Sequence, residues 1–110
     1  MSGGHFDYKF HAVNDMADEL ERELQKAGTV TDWGGLHSNY TKSTLNILQE
    51  CTKMLRITSD IMKEVEWLYS ADTGEESFRE ALDPLLEKMS EITNKAIKIA
   101  KNQPITKLDV

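Results

Sequence analysis

The sequence predicts an all-α fold, a small bundle of three main helices. Apolar residues recur every three or four positions, which is typical of amphipathic helices. No alternating polar and apolar run is long enough for a strand, and the chain has only two prolines, Pro84 and Pro104. With 110 residues, 39% of them hydrophobic, the chain has room for one core. We therefore expect one helical domain over residues 1–102 and a flexible tail over residues 103–110.

The first helix is predicted over residues 10–27. One stripe carries its apolar side chains, which are Phe10, Val13, Ala17, Leu20, Leu24 and Ala27. Gly28 follows as the left-handed stop that ends many helices. Residues 29–40 contain Gly34-Gly35 and predict a loop, in which we expect Trp33 to fold back over the core.

The second helix is predicted over residues 42–69 and has apolar residues on two sides. The first stripe is Leu48, Cys51, Leu55, Met62, Val65 and Tyr69, and the second is Ile47, Met54, Ile61 and Leu68. Two other long helices leave part of this surface without a partner, so the pattern predicts a homo-oligomer. We expect Ile47, Met54 and Ile61 to line the contact between subunits.

A third helical region follows a predicted cap. Thr73 with Glu76 three positions later is typical of a capping box, and acidic residues suit the first turn of a helix. Asp83-Pro84 inside the region predicts a break or kink, because Asp as N-cap and Pro at the first helical position restart a helix without strain. The last helix is then expected over residues 84–102.

Charge and cysteine content exclude several classes of function. The net charge of −6 argues against a DNA-binding protein, which needs basic residues to neutralise phosphates. No apolar run is long enough to cross a bilayer, and no secretory signal is visible, so we expect a cytoplasmic protein with no membrane partner. The single cysteine, Cys51, is interpreted as an inert core thiol.

Two blocks resemble a known group of proteins. Residues 1–8 read MSGGHFDY, followed by MADELE over residues 16–21, and residues 65–78 read VEWLYSADTGEESF. The same two blocks in the same order resemble a group of small uncharacterised proteins from phages and bacterial genomes. The resemblance implies a helical fold and a phage context, with a host cytoplasm as the place of action. It implies no activity.

Catalytic and metal-binding patterns are weak. His5, Asp7 and His11 match no zinc spacing, so we expect no metal and no cofactor. Glu80-x-x-Asp83 is faintly similar to half of the acidic motif of all-α, Mg²⁺-dependent nucleotide pyrophosphohydrolases. The first helix, however, offers Asp15-x-x-Asp18 and Asp18-x-x-Glu21 in place of the partner Glu-x-x-Glu motif. We expect no enzymatic activity.

The two blocks supply most of the candidate ligand-binding residues, because they are rich in polar groups that core packing does not require. They are His5, Asp7, Tyr8, Trp67, Asp72, Thr73, Gly74, Glu75 and Phe78, to which the basic last helix adds Lys88, Lys95 and Lys98. We expect the N-terminal block to lie close to Trp67 and the 72–78 turn. Either the two blocks hold the N-terminus on the bundle, or they form a binding surface.

The sequence leaves two binding functions open. One is a phage-type antagonist of host defence that sequesters a small anionic signalling nucleotide, with the lysines of one subunit near the N-terminal block of another. The other is an adaptor or inhibitor that contacts a host protein through the acidic first 40 residues, whose net charge is −4. Both are expected to work as homo-oligomers.

Overall fold

The structure is a computed structural model that describes residues 5–37, 39–103 and 105. It contains three helices, α1 (Phe10–Gln25), α2 (Lys42–Tyr69) and α3 (Glu75–Asn102). The described residues form no strand, and Val30 and Leu36 make a single isolated bridge. The predicted all-α class is therefore confirmed. No helix in the described part of the chain is long and apolar enough to cross a membrane.

The three helices lie side by side in one layer. α2 is central and packs against α1 on one side and α3 on the other, whereas α1 and α3 do not touch each other. Arg56 contacts Asp18 across α1 and α2, and Glu50 contacts Lys95 across α2 and α3. The molecule measures 54 × 34 × 14 Å. Its smallest dimension is close to the diameter of a single helix, about 10–12 Å.

A single layer buries few apolar side chains. Among the described residues, Phe10, Ala17 and Ile57 are the buried hydrophobic ones. The two apolar stripes of α2 are half-buried except for Tyr69, which is exposed. The remaining buried side chains on α2 are polar: Ser43, Glu50, Thr52, Ser59 and Glu66. Small hydroxyl side chains permit close helix contact, and the Ser59 hydroxyl donates to the Phe10 carbonyl at 2.7 Å.

The α1–α2 connection is a short hairpin-like loop. α1 ends at Gln25 with Lys26 as its C-cap, two residues before the predicted end at Ala27. Gly28 takes the predicted left-handed conformation, at φ +84, three residues after the helix. The His37 N–H donates to the Thr29 carbonyl at 2.8 Å, and the Gly28 N–H donates back to His37 at 3.0 Å. Trp33 lies at the tip and is 96% exposed. The prediction that Trp33 folds over the core is wrong, because the loop pairs with itself and points its tip into solvent.

The α2–α3 turn is a Schellman motif. The Asp72 N–H donates to the Trp67 carbonyl, and the Ala71 N–H donates to the Leu68 carbonyl. Ala71 occupies the left-handed position, at φ +62, where glycine is the usual residue. This turn reverses the chain so that α3 returns antiparallel along α2.

The start and interior of α3 differ from the sequence prediction. Gly74, not Thr73, is the N-cap, and no side chain caps the first turn. The predicted capping box is therefore not formed. α3 continues through Pro84 as one helix, so the predicted break at Asp83 is absent, and a kink there stays a prediction. Pro84 and Glu80 are exposed, so water can solvate the Glu80 carbonyl, which proline leaves without a donor.

Some predictions fall outside the described residues. These include the first four residues of the N-terminal block and most of the predicted tail. Gln103 follows the end of α3, and Ile105 is non-helical.

Candidate functional site

The layer has two different faces, which helix periodicity identifies. Residues two apart on a helix point about 200° apart, and residues nine apart point about 180° apart. Three ion-pair contacts identify the polar face, namely Asp18–Arg56, Lys53–Glu50 and Lys95–Glu50. It comprises Asn14, Asp18 and Glu21 of α1, Gln49, Lys53 and Arg56 of α2, and Lys95 of α3.

The opposite side is the apolar face. Met16 lies between Asn14 and Asp18 in sequence and so points away from the polar face, as do Cys51 relative to Lys53 and Leu86 relative to Lys95. Its apolar members are Val13, Met16 and Leu20 of α1, Cys51 and Met62 of α2, and Leu86 and Ile97 of α3, with Leu48 and Leu55 of α2 at its border with α1. Met16 is 57% exposed, Leu86 49% and Ile97 44%.

Arg56 organises the polar face. Its guanidinium donates to Asn14 Oδ1 at 2.9 Å and to Asp18 Oδ1 at 3.0 Å, and it also binds Glu21 Oε2. The hydrogen bonds from Asp18 and then Glu21 raise the pKa of Arg56 above its already high ordinary value. The cation is thus committed to three side chains of α1.

A groove of about 460 Å³ runs between α1 and α2 on this face. Its walls include Glu21, Leu24, Gln49, Lys53 and Arg56. Both cations in these walls already have carboxylate partners. An incoming phosphate would have to displace those carboxylates.

Glu50 is the second centre of the polar face. Its side chain is 4% exposed, and Oε2 lies 3.1 Å from Lys53 Nζ and 3.6 Å from Lys95 Nζ. Oε1 is buried and has no hydrogen-bond partner among the described residues. A buried carboxylate with two ammonium neighbours is a charge-neutralising link between α2 and α3.

Glu66 holds the N-terminal block. It is 0% exposed, and its Oε1 accepts the backbone N–H groups of Phe6 at 3.0 Å and Tyr8 at 2.8 Å. The His5 N–H donates to Ser70 Oγ at 3.1 Å. Oε2 of Glu66 is buried without a hydrogen-bond partner in the described part of the chain. The carboxylate therefore acts as an acceptor for backbone donors that precede α1.

Aromatic rings complete this N-terminal contact. The His5 ring lies 4.6 Å from Phe6 and 5.2 Å from Tyr69, and the Phe6 and Tyr69 rings are 5.4 Å apart. Asp7 and Tyr8 have φ values of +55 and +57, and positive φ values are uncommon in residues other than glycine. The strained backbone turns the N–H groups of Phe6 and Tyr8, on either side of Asp7, toward one buried oxygen.

The second predicted block is only partly joined to the first. Residues 5–8 contact Glu66, Tyr69 and Ser70 at the end of α2. Trp67 is half-buried and lies under Lys63, whose Nζ is 5.4 Å from the ring centroid. The other members belong to the turn and the start of α3. There Thr73 and Phe78 are half-buried, and Asp72, Gly74 and Glu75 are exposed.

The predicted lysines lie far from the N-terminal block. Lys88, Lys95 and Lys98 are exposed on α3. Lys95 lies beside Glu50, and Glu50 precedes Glu66 by 16 residues on α2, which is about 24 Å. Within one chain the two groups of candidate residues therefore form separate clusters.

Three important residues were missed from the sequence. Glu50, Arg56 and Glu66 organise the polar contacts, yet none was among the predicted site residues. Glu66 continues the three-four spacing of Leu48, Thr52, Leu55, Ser59 and Met62. This spacing could have predicted that Glu66 lies on the side of α2 that faces α1. Nothing in the sequence identifies which backbone donors it would accept.

The described residues contain no group of three or more His, Cys, Asp or Glu side chains that could hold a metal ion. No protein-family model, curated protein or solved structure matches the chain.

Proposed function

We propose that this chain is a non-enzymatic binding protein of phage type that works as a homo-oligomer and inhibits or sequesters a host factor. The observation that carries the proposal is the single layer of helices with one polar and one apolar face. Such a layer lacks a closed core of its own, and its faces are available for contacts with other proteins. The phage context rests on the resemblance of the two sequence blocks.

A protein partner fits the polar surface better than an anionic small molecule does. Arg56, Lys53 and Lys95 are each paired with carboxylates of the same chain. The outer edge of α1, opposite its contact with α2, carries Asp15 and Glu19 one turn apart, followed by Arg22 and Lys26. The acidic first half of this edge complements a basic protein surface.

Catalysis has less support. The acidic pair Glu80 and Asp83 is exposed on α3, whereas Asp18 and Glu21 lie on α1 and bind Arg56. α2 separates the two helices. A Mg²⁺-dependent hydrolase of the kind considered from sequence needs these carboxylates around one site.

A signalling nucleotide is the second candidate. The exposed Lys88, Lys95 and Lys98 favour it, because together they make the second half of α3 basic. Either an offset of two copies along α2 or a two-fold axis across α2 is needed to bring these lysines to the level of the N-terminal block.

Affinity capture from host lysate tests the proposal. The tagged full chain should retain a specific host protein, and Asp15→Lys combined with Glu19→Lys should abolish its capture. The matched control is Glu80→Lys on α3, an exposed carboxylate away from the α1 edge, which should retain the partner. Loss of capture in both variants, or in neither, would contradict the assigned edge.

Mass spectrometry of molecules released by heating tests the second candidate. A stoichiometric nucleotide that is lost in Lys88→Ala with Lys98→Ala would replace the protein-partner proposal. Hydrolysis of added nucleotides with Mg²⁺, lost in Glu80→Gln, would contradict the non-enzymatic assignment.

A further inference from the structure

We infer that the apolar face is covered by a second copy of this chain, with α1 of each copy over α3 of the other. This inference rests on the proposed homo-oligomer and names its contact surface. The apolar face takes the place of the subunit contact that the sequence predicted. Ile47, Met54 and Ile61 lie on the α3 side of α2 with Glu50 and Ile57. The first apolar stripe runs from the α1 side of α2, at Leu48 and Leu55, to the outward face, at Cys51.

The exposed area matches what a stable dimer needs. The chain exposes 7880 Å², whereas a compact monomer of 12.5 kDa exposes about 6,200 Å². The excess is about 1,700 Å². Obligate dimers bury about 1,000–2,500 Å² on each partner, so one copy accounts for the excess. The radius of gyration, 17.7 Å, likewise exceeds the value of about 13 Å for a compact chain of this length.

The chemistry of the face suits a second identical layer. Its apolar members are aliphatic or sulfur-containing side chains on all three helices, and those on α2 are half-buried. Glu23, Thr58 and Arg79 lie on the same side, each seven positions from a member of the face. Stacking two layers of 14 Å creates a six-helix, two-layer body whose core lies between them. A two-fold contact presents the same patch on both copies, so self-complementarity is required and an apolar patch supplies it.

The second copy can stack on this face in two orientations, with the two-fold axis either across α2 or parallel to it. The net charges of α1 and α3 favour one of them. α1 carries five carboxylates and one arginine, a net charge of −4. A two-fold axis perpendicular to α2 would place α1 of one copy over α1 of the other, so that two helices of net charge −4 would face each other. An axis parallel to α2 places α1 over α3, which carries six carboxylates, one arginine and four lysines, a net charge of −1. The second arrangement reduces the repulsion of like charges.

The parallel axis makes each α2 position meet its own mate. Cys51 then lies opposite the same residue of the second copy. With an axis across α2 through Leu55, the two Cys51 residues would be displaced by about 12 Å along the helix. Disulfides require Cα atoms within about 7 Å. The same geometry keeps the lysines of α3 and the N-terminal block at different heights along the dimer.

Mutation of a half-exposed residue tests the surface. Light scattering of the full chain at micromolar concentration should give a dimer mass, and Leu86→Glu and Ile97→Glu should each give a monomer mass. Leu36→Glu is the matched control, since Leu36 is 47% exposed in the α1–α2 loop and Leu86 is 49% exposed on the face. If the variants lose structure on dissociation, the unfolding midpoint of the wild type should still rise with protein concentration.

Cross-linking tests the orientation. Mild oxidation should link Cys51 to its mate, and Met62→Cys in a Cys51→Ser background should link as well. A monomeric wild type whose unfolding midpoint is independent of concentration would overturn both this inference and the proposed oligomer. An oligomer that Leu86→Glu and Ile97→Glu leave intact would overturn only the assigned face. A dimer that links at neither position would overturn the parallel axis.

Discussion

The backbone N–H of Tyr8 donates to Oε1 of Glu66 at 2.8 Å, across 58 positions of sequence. The same oxygen accepts Phe6 N–H, so one buried carboxylate fixes the direction in which the chain enters α1. The N-terminal block is thereby tied to the end of α2 by main-chain donors, and its side chains are left to contact neighbours or solvent.

Two substitutions of Glu66 should destabilise the fold by different amounts. Glu66→Gln keeps an oxygen acceptor and loses charge assistance, so we expect a loss of about 1 kcal/mol in the free energy of unfolding. Glu66→Ala leaves two donors unpartnered and should cost about 2–4 kcal/mol. Urea unfolding at fixed protein concentration measures both. Glu75→Ala, at an exposed carboxylate, is the control, and an equal loss there would contradict the assigned role.

Ala71→Gly should stabilise the protein. Ala71 holds the left-handed position of the Schellman motif, where a Cβ costs about 1 kcal/mol and glycine costs little. We expect a gain of about 1 kcal/mol in urea unfolding. Ala81→Gly, inside α3, is the matched control and should lose about 1 kcal/mol. A loss in both variants would show that residue 71 is not left-handed in solution.

Pro84→Ala discriminates between a continuous and a broken α3. A proline inside a helix costs about 3 kcal/mol, so in the continuous helix we expect the variant to gain about 1–3 kcal/mol. At the first position of a restarted helix proline is favourable, and the same change would be neutral or destabilising. Calorimetry with far-UV circular dichroism measures the change in stability and helix content.

Arg56→Ala should lower the urea midpoint by breaking the contact with three α1 side chains. The ion-pair part of this loss should shrink at about 1 M salt, where the Debye length falls to about 3 Å. Because the pKa of Arg56 is raised, its charged state is present at every pH below the ordinary arginine range and is lost only above it. Arg56 itself should therefore add no pH dependence between about pH 6 and 9.

Arg22→Ala, at an exposed arginine on the same helix pair, is the control for Arg56. Equal losses in the two variants would mean that the geometry around Arg56 contributes nothing beyond general charge.

Local pattern in the sequence determined the helices themselves. The three-four spacing of apolar residues predicted α2 from Lys42 to Tyr69 as observed, and the start of α1 at Phe10 and the end of α3 at Asn102. Gly28 takes the left-handed conformation expected of it, although α1 ends three residues earlier, at Gln25. These features depend on neighbours within about one helical turn, which the sequence contains directly.

Tertiary structure alone decided which faces meet and which polar groups are buried. Pro84 lies within α3 although the local signal predicted a restart, and Trp33 points outward because its loop pairs with itself. The side chain of Glu66 is buried because backbone donors 58 and 60 positions away reach its carboxylate. Contacts between residues so distant in sequence depend on how the helices pack, and helix periodicity specifies an apolar face without specifying what covers it.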